Sequence, residues 1–424
     1  MTLQKLSCGR NCSSPDTFIV TTINLREQDM NANAIDMTAA ASDNRWKRGF
    51  WSIWATQFQE SFSDNAYRWI VISYVANSAL DAGSTREYLN SLAGILFAAP
   101  FVLFSPMGGY LADRFSKRSV ILGTKFAELA VMAIALAGLM AGSLPIMLAA
   151  LFLRGIQSSC YSPSKFGMLP EVLPEGLLSW GNGVLELGSF AAIIGGTVAG
   201  TSLYSTFSGR LGYAGMILFG VTLIGLALSA TLPRVRAAGS TKPLRLNPFG
   251  ELVEQWKEIR KDRTLFLAIL GITYFFLLAA LLQYGVEYYG KDILHIGADQ
   301  TGYLQAAIGI GIGIGSFVAG YLSGKKIEYG LIPLGAAGMT IVSVLLSRNG
   351  LSFTAVAVLL GLLGFAGGFF AVPVMAIIQH RPDAEKKGGV IAASNQMSFI
   401  GIGLASVLYG LLTRSLHLSV PVVF

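Results

Sequence analysis

From Phe50 onward the chain alternates long apolar runs with short polar breaks. The runs cover 50–78, 89–112, 119–142, 145–167, 178–206 and 213–232, then 264–289, 300–323, 331–347, 351–378 and 390–412. Each is about 17 residues or longer, the length a helix needs to cross bilayer hydrocarbon. The pattern therefore predicts eleven membrane helices, six before and five after one long polar break. That break, Pro233 to Arg263, carries eight cations. Its later part, Pro248 to Asp262, sets Leu252, Trp256 and Ile259 at helical spacing, as in an amphipathic helix lying on a membrane surface. Residues 1–45 are polar, lack helical periodicity and hold no signal-peptide run, so a disordered tail is expected there. The predicted plan is a tail (1–45), a six-helix bundle (46–232), a linker (233–263) and a second bundle (264–424). Only ten residues follow Arg414. A twelfth helix is thus expected to be missing, as in a membrane domain cut from a longer protein.

Composition removes the soluble alternative. Hydrophobic residues make up 53% of the 424 and charged ones 13%, with a mean hydropathy of +0.57; a soluble domain carries more charge. The net charge of +7 does not imply nucleic acid, because the cations lie in short loops between apolar runs. They are also distributed unevenly. Arg45, Lys47, Arg48, Arg114, Lys117, Arg118, the linker cations, Lys325, Lys326, Arg381, Lys386 and Lys387 fall at one end of the predicted bundle. Arg86, Arg210, Lys291, Arg348 and Arg414 fall at the other. The excess places the N-terminus and linker in the cytoplasm. Three scattered cysteines, Cys8, Cys12 and Cys160, imply neither a disulfide framework nor a metal site.

The first half has an echo in the second. GYLADRFSKRSVI from Gly109 returns as GYLSGKKIEYGLI from Gly320, and Pro163 and Ser189-Phe190 return as Pro373 and Ser398-Phe399 at nearly the same offset. Two parallel repeats are expected. The string Gly109, Leu111, Ala112, Asp113, Arg114, Lys117, Arg118 resembles the loop between the second and third helices of the major facilitator superfamily. The resemblance implies an all-α membrane fold of two six-helix repeats. In that loop the glycine permits close packing and the charges lock one transporter conformation.

More specific strings are FSDNA (62–66), YSPSKFGMLPE (161–171), NGVLELGSFAAIIGGTVAG (182–200) and GGFFAVPVMAIIQ (367–379). Together they resemble the bacterial lysophospholipid transporter family over about residues 50–412. The resemblance implies movement of a lysophospholipid such as lysophosphatidylethanolamine across the bacterial inner membrane for reacylation. It also implies, as possible partners, an acyltransferase and acyl-carrier-protein ligase, fused or encoded nearby. A cation-coupled drug or solute exporter, and a non-transporting membrane domain of an acyltransferase fusion, are the alternatives. No cofactor is expected beyond a sodium ion or proton as coupling ion.

Charges inside apolar runs are costly and should face the bundle interior. Glu60, Asp64 and Arg68 follow one another at four-residue spacing on one helical face. They form either an ion or head-group pathway or a structural ion network. Arg68 is expected to hold one acid and leave Asp64, which matches the family's aspartate in F-x-D-N-A, free to bind a cation. Lys125 and Glu128 are expected to pair with each other. Glu186 matches an acidic position of the family's fifth helix and is a candidate for coupling or for pairing with Arg154; Glu287 is a further coupling candidate. Lys165 and Arg154 are candidates for the substrate head group, although Lys165 at the end of its run could equally reach the interface by snorkelling. The seventh run lacks the intramembrane arginine of some members, offering Gln283 and Glu287 instead. GIGIGIG (309–315) lies within an uncharged run, where close helix packing explains it better than phosphate binding. An acyltransferase would show H-x4-D, but His295, His380 and His417 each lack an acid at that distance, so an enzyme is not expected.

Overall fold

A computed structural model describes residues 45–77, 84–241, 247–324, 326–348 and 350–412. The expected disordered tail, Lys325 and the chain after Leu412, including the region of the missing twelfth helix, lie outside the described residues. Residues from Lys47 onward form one compact unit.

Each apolar run folds as a helix within a few residues of its expected limits. The first half contains α1 (Arg45–Asn77), α2 (Ser84–Arg114), α3 (Lys117–Ala141), α4 (Leu144–Val172), α5 (Leu178–Thr206) and α6 (Gly212–Ala230). The linker supplies α7 (Pro248–Ile259). The second half contains α8 (Arg263–Tyr288), α9 (Ala298–Leu322), α10 (Leu331–Leu346), α11 (Phe353–His380) and α12 (Lys387–Gly410). Eight of these are long and apolar enough to cross a membrane on composition alone, and α10 is a shorter apolar helix. Local signals set several limits. Gly142 ends α3 in the left-handed region at φ 62°. Asn247 and Asp262 accept backbone N–H groups at the starts of α7 and α8.

In the first half α4 packs on α2 and α3, and α3 on α6. Ala66, Tyr67, Met132, Met147, Leu151 and Leu218 join α1, α3, α4 and α6 in one apolar core. In the second half α11 packs on α8, α9 and α10, and α8 on α12. Large apolar side chains such as Phe126, Ile224, Val198 and Ile341 remain exposed on outer surfaces. That exposure suits helices bathed in lipid rather than water.

The two halves meet along α2 with α12 and α5 with α9. The glycine run of α9 serves packing, as its uncharged setting predicts. A Cβ on Gly311 would collide with the Gly361 carbonyl oxygen of α11, an approach that only a residue without a side chain permits.

Candidate functional site

Three helices, α1, α3 and α4, assemble a buried ion network in the first half. Asp64 on α1 accepts from Arg154 on α4, at 2.7 Å from Nε and also from the terminal nitrogen, and from Ser158 Oγ at 2.9 Å. One turn earlier, Glu60 pairs with Lys125 of α3 and accepts from Gln157 Nε2 at 2.9 Å and Ser158 Oγ at 3.3 Å. Glu128 meets Lys125 at 2.8 Å, Gln59 Nε2 at 3.2 Å and Arg154 at 3.5 Å. Gln59 also accepts from Lys125 at 2.8 Å, and Gly225 of α6 leaves the space its side chain fills. Lys125, Glu128 and Arg154 expose no surface. Charges so deep persist only as a paired and hydrogen-bonded set.

This arrangement corrects several expectations. Asp64 is not a free carboxylate: Arg154 holds it. Nor does Arg68 supply the cation for either acid of α1; the half-buried Arg68 lies further along the helix, and Glu60 and Asp64 take their cations from α3 and α4. Lys125 and Glu128 do pair, but Glu60 shares the lysine. Arg154 pairs with Asp64 and Glu128 rather than with Glu186, and its buried guanidinium is committed to acids instead of being presented to a substrate. The expected Arg154–Glu186 pair therefore does not form. Lys165 is 7% exposed and lies 4.0 Å from the Phe166 ring centre, so it does not snorkel. Glu287 is exposed at the far end of α8, on the other half, and is not brought to this network. Gln59, Gln157 and Ser158 were not singled out from the sequence. Their signal was weak: neutral polar residues inside apolar runs, of which membrane helices hold many.

At the end of the bundle that carries the α2–α3 turn, the Gly109 to Arg118 string clasps the two halves. Asp113 accepts the N–H groups of Gly388 and Gly389, at 2.6 and 2.8 Å, at the start of α12. Anionic side chains are favoured at a helix N-terminus by the unpaired N–H groups and the helix dipole. Gly109 lies against the same turn, where a Cβ would come 2.7 Å from that of Ala392. Lys117 pairs with Glu171 at 2.5 Å, Arg118 donates to the Ala230 carbonyl at 3.0 Å, and Arg114 stacks over Tyr110. Between α5 and α11, Asn182 and Gln379 exchange two amide hydrogen bonds of 2.9 and 2.8 Å. The halves are thus closed on each other at this end.

The major facilitator superfamily model matches residues 54–406. The chain belongs to the major facilitator superfamily. It is accordingly a multi-pass membrane transporter rather than an enzyme. Among curated relatives, proteins named lysophospholipid transporter LplT from Salmonella newport and Salmonella typhimurium are each 28% identical over 393 residues, covering 89% of this chain and 90% of theirs. Solved structures share the fold. The Escherichia coli fucose:proton symporter superposes with a TM-score of 0.71 at 14% identity over 89% of this chain and 95% of its own. The human organic anion transporter MFSD10 gives 0.70 at 15% identity over 87% and 95%.

Proposed function

We propose that this chain is a secondary transporter that carries a lysophospholipid, lysophosphatidylethanolamine or a close analogue, across the bacterial inner membrane toward reacylation by an acyltransferase and acyl-carrier-protein ligase. The observation that carries this reading is similarity over nearly the whole chain to relatives named lysophospholipid transporters. The buried network favours a coupled transporter over a passive scaffold. It contains three carboxylates and two cations, so one further positive charge, a proton or a sodium ion, balances it. Lys165, buried against the Tyr161 and Phe166 rings on α4, supplies a cation for the lipid phosphate. If the N-terminus lies in the cytoplasm, the contacts at the loop end close the cytoplasmic side, and the head group enters between the halves from the other side. Opening of the Asp113 and Asn182 contacts then releases it on the cytoplasmic side.

Spheroplasts expressing the chain are expected to take up labelled lysophosphatidylethanolamine, with diacyl phospholipids competing poorly. A single acyl chain lets the head enter while the tail stays in hydrocarbon, whereas two chains need a wider lateral opening. Uptake no greater than that of an empty-vector control would discard the lipid reading and favour a small-solute exporter.

A further inference from the structure

On the outer surface of the first half, α2 and α3 wall a groove whose floor is α4. Its volume is about 580 Å³, within the range of sites that hold one small ligand. The α3 wall is made of small or slender residues at helical spacing: Val120, Gly123, Thr124, Ala127 and Val131. A Cβ on Gly123 would touch nothing within 4 Å. Larger apolar residues at these positions would fill the groove, and protein interiors are otherwise close-packed. From Ser119 to Val131 the wall runs for about 18 Å along the helix axis.

The groove is flanked by membrane helices, so it opens on hydrocarbon, and its lining is apolar apart from Ser119 and Thr124 on the α3 side and Gln157 on the floor. Gln157 is the one that matters. Its side chain lines the groove while its Nε2 donates to Glu60 in the ion network. We propose that the groove seats the single acyl chain of the transported lipid, so that the chain rests on the amide that holds Glu60. This rests on the lysophospholipid reading above. A space of about 580 Å³ running about 18 Å along α3 matches one extended acyl chain in volume and length. A bilayer lipid that merely fills a surface furrow has no use for a floor residue shared with buried charges. The proposal makes α3 a determinant of chain length, and Gln157 the contact through which chain occupancy reaches the network.

The test uses the full chain in proteoliposomes and two probes, lysophosphatidylethanolamine with a palmitoyl chain and with an octanoyl chain. Gly123→Leu places a side chain in the open groove without a predicted clash. It is expected to lower palmitoyl uptake about tenfold relative to octanoyl uptake, the factor carried by ejecting roughly two methylene groups from an apolar site. Equal loss for both probes, or no loss, would overturn the groove while leaving lysophospholipid transport standing. Independently of uptake, a palmitoyl lysolipid with a photoreactive group at the chain end should label α3 and α4 peptides around Gly123 and Ile156. Unlabelled lysolipid should compete and diacyl lipid should not. Labelling that both lipids suppress equally marks a furrow for bulk lipid and rejects the proposal even if the chain transports no lysophospholipid.

Discussion

Arg154 exposes no surface and has acids on two sides, so removing it does more than delete one attraction. Arg154→Ala strands Asp64 without its cation, and a carboxylate left unpaired inside a bundle costs about 3–5 kcal/mol. The purified variant should unfold at lower temperature in detergent, and adding Asp64→Asn should recover part of the loss, because the stranded charge is then gone. A fully additive double variant would mean that the two side chains do not act as a pair. Glu128 is the third carboxylate beside two shared cations. Glu128→Gln removes the network's excess negative charge while keeping the shape, so folding should be retained and ion-driven uptake lost. Normal uptake under imposed sodium and proton gradients would assign the network a structural role only.

At the scale of elements, the start of α12 depends on one carboxylate of α2. Asp113→Asn keeps an acceptor oxygen but loses the charge facing the α12 N-terminus, worth about 1 kcal/mol, or a roughly fivefold change in population. Spin labels at positions 115 and 383 should therefore report a larger population of separated ends in the variant; an unchanged distance distribution would contradict the clasp. The linker helix is held differently. Glu258 on α7 accepts from Lys386 and Lys261, both at 2.7 Å, and Asp262 pairs with Arg381 at 2.5 Å. The lysine hydrogen bonds hold the Glu258 carboxyl down at about 2 from its ordinary 4.5. A depressed carboxylate stabilises the docked helix fully above pH 4.5, and the contribution disappears as pH falls toward about 2. Trp256, packed on Phe266, should report undocking by fluorescence over that window, and Glu258→Gln should remove this component of the change.

For the whole molecule, the side of the membrane follows from the loop charges and can be checked by labelling. In a cysteine-free background, Arg210→Cys should react with an impermeant maleimide in intact cells and Lys257→Cys should not; both positions are exposed. Reaction at 257 alone would invert the topology. The same experiment bears on which transport state is closed at the Asp113 end.

Helix number and approximate limits were legible in the sequence, because a segment in hydrocarbon must satisfy its own backbone hydrogen bonds and shed charge, and both demands are local. The Gly109 to Arg118 string likewise announced its loop, since its glycine and charges answer to a short turn. Partnership among the buried charges was not legible. Spacing along α1 placed Glu60, Asp64 and Arg68 on one face, but a helix face does not say which neighbour it meets. The packing of α3 and α4 against α1 brought Lys125 and Arg154 to those acids, moved Arg154 away from Glu186 and left Glu287 elsewhere. The groove over α4 was equally hidden, because small residues on α3 become an opening only where no other helix covers them. Sequence fixes what each helix can tolerate; tertiary packing decides which charges meet, since pair energies fall with distances that only the assembled bundle sets.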